Sequence, residues 1–404
     1  MRYRKPDLLC YRLAQFVCGI VARLFFRRKV LRNEIKGVKG PFVVVANHQC
    51  AYDFVNLIGL SRRPMSFVIS NSFYHSLPIK EFLNRMGVIP KQQFQTTVAD
   101  MKNMKAVVDA GEPLVIYPAG LMCEDGLSTP VPSATYKFLK WLNVDVYAAR
   151  VSGTYFAMPK WGKGIRSGRT TIDVYKLASA DEMAAMDLDT IREKVDAALV
   201  FDAYREQEVL RFRYHGGADI RGLDHVLFVC PRCGAEHTMR VRGKSQIVCE
   251  DCGYGRISDD MGFLQDDGSG VPEIRYVSDW SRMIYRHTAR QIESGELAVL
   301  ESGTKLHMID YDKHKFRQVG KGTVRLDRTW FRYSGTLNGE EVDLAVPIAG
   351  LPTIPFSPGK YFEIQDGKNI YRCVLEDGRL VMKFVNMVKI FYCMNHPVKD
   401  RTSV

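Results

Sequence analysis

Five short aliphatic runs dominate the first half of the chain: "PFVVVAN", "MSFVIS", "PLVIYPAG", "VDVYAARVSG" and "TTIDVYKL", separated by amphipathic stretches between about residues 41 and 175. Runs with no polar alternation suit strands covered on both faces, and helices between them imply a largely parallel sheet. A helix is expected from about Asp187 to Leu199, followed by charged connecting sequence.

At 404 residues the chain is long enough for two or three domains, and 46% hydrophobic with 25% charged residues is a globular composition. Beyond residue 273 the pattern changes to alternation, with turn signals at Asn338-Gly339 and Asp366-Gly367. The final "RLVMKFVNMVKIFYC" reads as an amphipathic helix. "QDDGSGVP" at 265–272 reads as a linker. The expected fold class is α/β, a mostly parallel sheet with helices, plus a zinc ribbon and a C-terminal β-rich domain closed by a helix. The expected organisation is a basic amphipathic helix at 1–33, the α/β domain at 34–215, the ribbon at 216–264 and the β-rich domain at 273–404. In pattern, though in no diagnostic motif, that last domain resembles the pleckstrin-homology-like folds.

"CPRCG" at 230–234 and "CEDCG" at 249–253 give two Cys-x2-Cys turns. Each turn offers two thiolates, and together they complete a tetrahedral four-sulfur site, Cys230, Cys233, Cys249 and Cys252, expected to hold structural Zn2+. The glycine after each pair relieves the backbone where it bends back. The six other cysteines are scattered, which fits a reducing compartment and not a disulfide framework. Ribbons of this kind often bind nucleic acid, but the basic excess lies elsewhere in the chain, so no nucleic-acid partner is expected.

That excess sits at the N-terminus. Residues 1–40 carry eleven basic side chains against Asp7 and Glu34, which is +9 of the net +12. Only ten uncharged residues separate Arg12 from Arg23, too few for a bilayer span of about 20 residues. On a helix, Arg12, Gln15, Gly19, Arg23 and Arg27 share one face, and Leu13, Phe16, Val17, Ile20, Val21, Leu24 and Phe25 cover much of the rest. The expectation is an interfacial helix on membrane lipids; the competing reading docks its apolar side on the next domain. No signal-peptide cleavage pattern follows the apolar run. The expected location is cytoplasmic, peripheral on the inner face of the membrane.

His-x4-Asp occurs twice, as His48 with Asp53 in "NHQCAYDF" and as His307 with Asp312 in "HMIDYD". Residues five apart on a regular helix point about 140° away from each other. A pair therefore needs a strand, a turn and then a helix, the layout offered by "FVVVAN", "HQCAY" and "DFVNLIGL" but not by the second copy. A carboxylate on one imidazole nitrogen fixes the tautomer and leaves the other nitrogen to accept a proton. No Gly-x-Ser-x-Gly or other nucleophile motif accompanies the pair, so the hydroxyl it activates is expected to belong to the acceptor.

On these residues the chain resembles the glycerolipid acyltransferases typified by lysophosphatidic acid acyltransferase. "NHQCAYDF" looks like their Asn-His-x4-Asp block and "GVIP" like the start of their second. "GEPLVIYPAGLMCEDG" stands where they carry Phe-Pro-Glu-Gly-Thr-Arg-Ser, and "VDVYAARVSGT" resembles their last strand without its proline. The resemblance covers about residues 35–200. It implies acyl transfer from acyl-CoA or acyl-carrier protein to a lipid hydroxyl, with His48 as base and Asp53 as its partner. It also implies an acceptor site around Lys91, Tyr117, Pro118 and Gly120. The chain departs from the family at Ala119, Leu121 and Met122, which replace Glu, Thr and Arg, and at Gln93, which replaces the second-block arginine. Two further readings are an acyltransferase for a glycolipid or non-phosphorylated acceptor, and an inactive lipid-binding platform.

Overall fold

In the computed structural model, which describes residues 3–93, 97–268, 274–367 and 369–396, the aliphatic runs form one sheet. Its strands are β1 (Lys29–Asn33), β2 (Phe42–Ala46), β3 (Ser66–Ser70), β4 (Ile89–Lys91), β5 (Leu114–Ile116), β6 (Asp145–Ser152) and β7 (Thr171–Ala178), in the order β1-β7-β6-β2-β5-β3-β4. Every residue of β2 is buried. Val43 and Val45 enter one core with Val107, Leu139 and Val195, while Phe42, Val44 and Ala46 enter the opposite core with Tyr11, Leu57 and Val174. That two-sided burial is why the run shows no polar alternation.

Neighbouring strands are parallel except for β6 and β7. Between those two lies only a short turn, Thr154–Ala157, and loop. With no crossover helix the chain cannot return to the starting edge, and the pair runs antiparallel. The helix expected from 187 spans Leu188–Leu199, and the Asp187 side chain caps it by accepting the Thr190 N–H.

Helix α1 (Leu8–Leu24) reverses the simple amphipathic picture. It docks through Tyr11, Ala14 and Ala22, all buried. The Gln15 amide donates to the carbonyls of Ile58 and Ser61, Arg12 donates to that of Arg62, and the Tyr11 hydroxyl accepts the Met65 N–H. Leu9, Leu13, Phe16, Val17, Ile20 and Leu24 are exposed. The helix therefore does dock, but by its small, aromatic and polar face, and its large apolar side chains point away. No helix among the described residues is long and apolar enough to cross a membrane.

Two compact units result: residues 1–219 with 258–263, and residues 220–257 with 264–404. In the second, β8 (Met239–Arg242), β9 (Gln246–Cys249), β10 (Gly255–Ser258) and β11 (Leu264–Asp266) form a four-stranded sheet in the order β11-β10-β9-β8. The stretch read as a linker from residue 265 thus begins as strand, and its residues 269–272 lie outside the described residues. A second seven-stranded sheet follows, built from β12 (Leu300–Asp310), β13 (Lys315–Leu326), β14 (Trp330–Leu337), β15 (Glu340–Pro347), β16 (Phe356–Ser357), β17 (Tyr361–Asp366) and β18 (Asn369–Leu375). All its pairings are antiparallel. Asn338 and Gly339 join β14 to β15 with φ of 52° and 94°, the left-handed pair that a tight hairpin needs. The closing helix, Val381–Asn395, packs Phe384 against Phe331 and Phe362.

Candidate active site and metal centre

The parallel strands deliver their carboxyl ends to one edge of the sheet, where ligands bind in open α/β folds. His48 lies two residues beyond β2, Tyr117 follows β5 directly, Lys91 ends β4 and Thr154 lies two residues beyond β6. Asn47 fixes the first of these ends. Its amide donates to the Val151 carbonyl and its oxygen accepts the Val151 N–H, both at 2.8 Å.

After β2 the chain turns through residues 48–52 and enters a short helix, α2 (Asp53–Leu57), as the spacing of the pair requires. Asp53 is fully buried, whereas the His48 side chain is 20% exposed. The His48 Nδ1–H donates to Asp53 Oδ2 at 2.9 Å. The same oxygen accepts the backbone N–H groups of Gln49 at 2.7 Å and Cys50 at 2.9 Å, so the carboxylate closes the turn that carries the histidine. Asp53 Oδ1 accepts the Thr154 hydroxyl at 2.7 Å. With Nδ1 committed to the carboxylate, Nε2 is the nitrogen available as a proton acceptor.

The loop after β5 lies over this turn. The Cys123 N–H donates to the His48 carbonyl at 3.3 Å, and the Tyr117 ring lies 4.5 Å from that of His48, centroid to centroid. Burial, and then the Asp53 charge, push the Tyr117 phenol far above its ordinary range, so it stays protonated. Its hydroxyl is buried without a partner among the described residues. Pro118 sits inside the turn closed by Gly120 N–H donating to the Tyr117 carbonyl, and Gly120 has a φ of 71°. Burial likewise raises the Cys50 and Cys123 thiols well above their usual value, which leaves neither as a ready thiolate.

Of the residues marked in the sequence, Gln93 makes the bond that joins the second and third blocks. Its amide donates to the Gly120 carbonyl at 2.6 Å. Lys91 instead donates to the Gln92 carbonyl at 3.2 Å, and burial holds its pKa below the usual lysine value. His307 behaves as the contrasting copy. It lies within β12, and its Nδ1–H donates to the Lys305 carbonyl at 3.3 Å. Sequence reasoning missed Thr154, Gln49 and Asn47 as parts of the site. Only Asn47, directly after β2, carried a local signal; Thr154 and Gln49 come together only once β6 lies beside β2.

In the second unit the sulfur atoms of Cys230, Cys233, Cys249 and Cys252 lie within 4.8 Å of one another. Cys230 and Cys252 sulfurs are 3.6 Å apart, and those of Cys233 and Cys249 3.8 Å. A tetrahedron with metal–sulfur bonds of about 2.3 Å has edges of about 3.8 Å, so the four thiolates fit one ion. The two turns repeat one pattern. Gly234 and Gly253, both at φ 73°, donate to the carbonyls of Cys230 and Cys249, whose own N–H groups donate to Ala235 and Tyr254.

Residues 27–163 match the model of a family described as Acyltransferase. Among solved structures, the chain is similar to the 1-acyl-sn-glycerophosphate (LPA) acyltransferase PlsC from Thermotoga maritima. The identity is 15% over 50% of this chain and 78% of that one, with a TM-score of 0.41. It is also similar to the Ran binding domain of the nuclear complex component Nup2 from Ashbya gossypii, at 17% identity over 24% of this chain and 98% of that one, TM-score 0.19. No curated protein sequence matches the chain.

Proposed function

We propose that this chain, whose residues 27–163 match the acyltransferase family model, moves a fatty acyl group from a thioester to a hydroxyl of a membrane lipid. The observation that carries the proposal is the bond from His48 to the buried Asp53 at the carboxyl edge of β2. His48 Nε2 takes the proton of the acceptor hydroxyl as its oxygen attacks the thioester carbonyl of acyl-CoA or acyl-carrier protein. The tetrahedral intermediate then collapses with loss of the thiol, which leaves with the proton held by the imidazolium. Direct transfer fits the protonated, buried state of Cys50 and Cys123. The test is product analysis by mass spectrometry on vesicles supplied with acyl-CoA or acylated carrier protein and lysophosphatidic acid. No acylated product with any lipid hydroxyl would refute it and favour a binding platform.

A second reading concerns the acceptor and rests on Gln93. Its amide is committed to the Gly120 carbonyl, and the side chains of Leu121 and Met122 offer no donor to a phosphate. One charge-assisted hydrogen bond contributes about 1.5–3 kcal/mol, so losing the family arginines weakens a phosphate contact by about one to two decades. The expected result is a lower kcat/KM for lysophosphatidic acid than for an acceptor with a less charged head, such as a glycolipid. Lysophosphatidic acid as the best substrate, with a sharp rise in its KM in Lys91→Ala, would show that Lys91 has taken over the arginine's role.

Membrane lipids are the proposed surface for the outward face of α1, and the inner face of the cytoplasmic membrane the proposed location. The exposed apolar side chains of α1 and the +9 of residues 1–40 support this. Each basic residue near an anionic surface contributes about 1 kcal/mol. Phe16→Glu with Ile20→Glu is expected to move the protein from sedimented anionic vesicles to the supernatant, and salt should weaken wild-type binding. Deleting residues 1–30 would be a poor substitute, because it removes the buried Tyr11, Ala14 and Ala22 from the core. Full binding by the double variant would overturn the assignment. The four cysteines are proposed to hold one structural zinc; with all four positions filled by protein, no open site remains to activate water.

A further inference from the structure

Asp53 is held by more than the turn it belongs to. His48 Nδ1–H and the N–H groups of Gln49 and Cys50 all converge on Oδ2. These donors come from the three consecutive residues His48–Cys50 of the turn that leads into Asp53, and they grip only one oxygen. The other, Oδ1, accepts the Thr154 hydroxyl at 2.7 Å, from 101 residues away in the chain; the Cys50 thiol, at 3.5 Å, is a weaker second donor. Thr154 is fully buried, and its hydroxyl also lies 3.2 Å from Gln49 Oε1. One hydroxyl carries one proton, which goes to the nearer and charged acceptor. Gln49 Oε1 is meanwhile served by the Tyr155 N–H at 3.2 Å.

The direction of Thr154 is fixed by the residue before it. Gly153 has a φ of 88°, and a Cβ there would lie 2.6 Å from the Tyr214 hydroxyl and 2.9 Å from the Arg169 carbonyl. Only glycine fits, and it turns the chain so that Thr154 meets Asp53 at the end of β6.

We propose that Thr154 is a positioning residue for acyl transfer: it pins the free oxygen of the Asp53 carboxylate, and so the ring of His48, in the orientation the acceptor hydroxyl meets. This rests on His48 being the base. With valine in its place the carboxylate keeps only the weak Cys50 thiol contact on Oδ1, at 3.5 Å. It can then pivot in the turn and carry the imidazole with it, which slows proton transfer without altering the surfaces that bind donor and acceptor.

The experiment compares Thr154→Val, Thr154→Ser, Thr154→Cys, His48→Ala, Asp53→Asn and Asp53→Asn/Thr154→Val by steady-state transfer, with thermal unfolding measured on each. Thr154→Val is expected to lower kcat by about 10–100-fold, the equivalent of one hydrogen bond to a charged group, with KM for both substrates within about twofold. Serine should keep nearly the wild-type rate, and cysteine, a weaker donor, should fall between serine and valine. In the Asp53→Asn background the valine change should alter the residual rate by less than about twofold, because a residue acting through Asp53 has nothing left to act on. A fully active Thr154→Val, serine as damaging as valine, or a full multiplicative loss in the double variant would each overturn the proposal. If the valine variant does not fold, the order of serine above cysteine decides, and equal rates overturn it. His48→Ala at full activity would overturn the base assignment itself; an inactive His48→Ala beside an unimpaired Thr154→Val removes only the role of Thr154.

Discussion

His48→Ala is expected to lower the rate of acyl transfer by about 10²–10⁴, the span general-base catalysis usually supplies, while unfolding stays cooperative. The ring is partly exposed and makes one hydrogen bond to Asp53, so its removal leaves the strand ends and the backbone clamp of the turn in place. Asp53→Asn should fall in the same range for a different reason. An amide presents one oxygen and one NH2 where the carboxylate meets only donors, so it either opposes a donor or releases the imidazole from the tautomer that leaves Nε2 free. His307→Ala should change the rate by less than about twofold, since that ring donates to the Lys305 carbonyl from within β12. Initial rates of thioester-dependent acylation on the three variants decide this, and loss of activity in His307→Ala alone would mean that the other histidine is the base.

Cys249→Ser is expected to release the metal and loosen the second unit between β8 and β10. Metal analysis of the wild type should return one zinc for the four-cysteine group. A structural zinc contributes about 10–16 kcal/mol of apparent binding free energy at neutral pH. That is comparable with the whole stability of an ordinary domain, about 5–15 kcal/mol. The variant should therefore be cut rapidly by trypsin near residue 240, where Arg240, Arg242 and Lys244 line the β8–β9 hairpin. The transfer rate should hold within about threefold, since a closed four-thiolate site supplies no chemistry. Iron, or no metal, in the purified wild type would refute the assignment.

The parts of this structure that were legible in the sequence are those governed by local pattern. Five consecutive buried residues in β2 read as an aliphatic run because both of its faces are covered. His48 and Asp53 read as a pair because five positions suffice to end a strand and start a helix. Two Cys-x2-Cys turns read as one site because thiolates leave few other options. What was hidden depends on residues far apart in the chain. Thr154 looks like any residue after a strand until β6 lies beside β2, and the bond of Gln93 to Gly120 is visible only once β3, β4 and β5 are in place. The docking face of α1 was misleading for another reason. Hydropathy marks the large apolar side chains, but burial there goes to Tyr11 and to alanines small enough to let backbones approach.

The position of β2 has a consequence for how the protein is made. Its neighbours are β5 and β6, so Val43 must wait for Leu114 on one side and Val146 on the other. During synthesis, a strand of five apolar residues emerges with both edges open and remains so while the next seventy residues, on the order of several seconds of translation, are added. Such a segment is a template for pairing with other nascent chains, and contacts this distant in sequence form slowly. The strand that leads into His48 is thus also a stretch open to mispairing during synthesis, and variants that weaken β5 or β6 should reveal themselves first as insoluble protein.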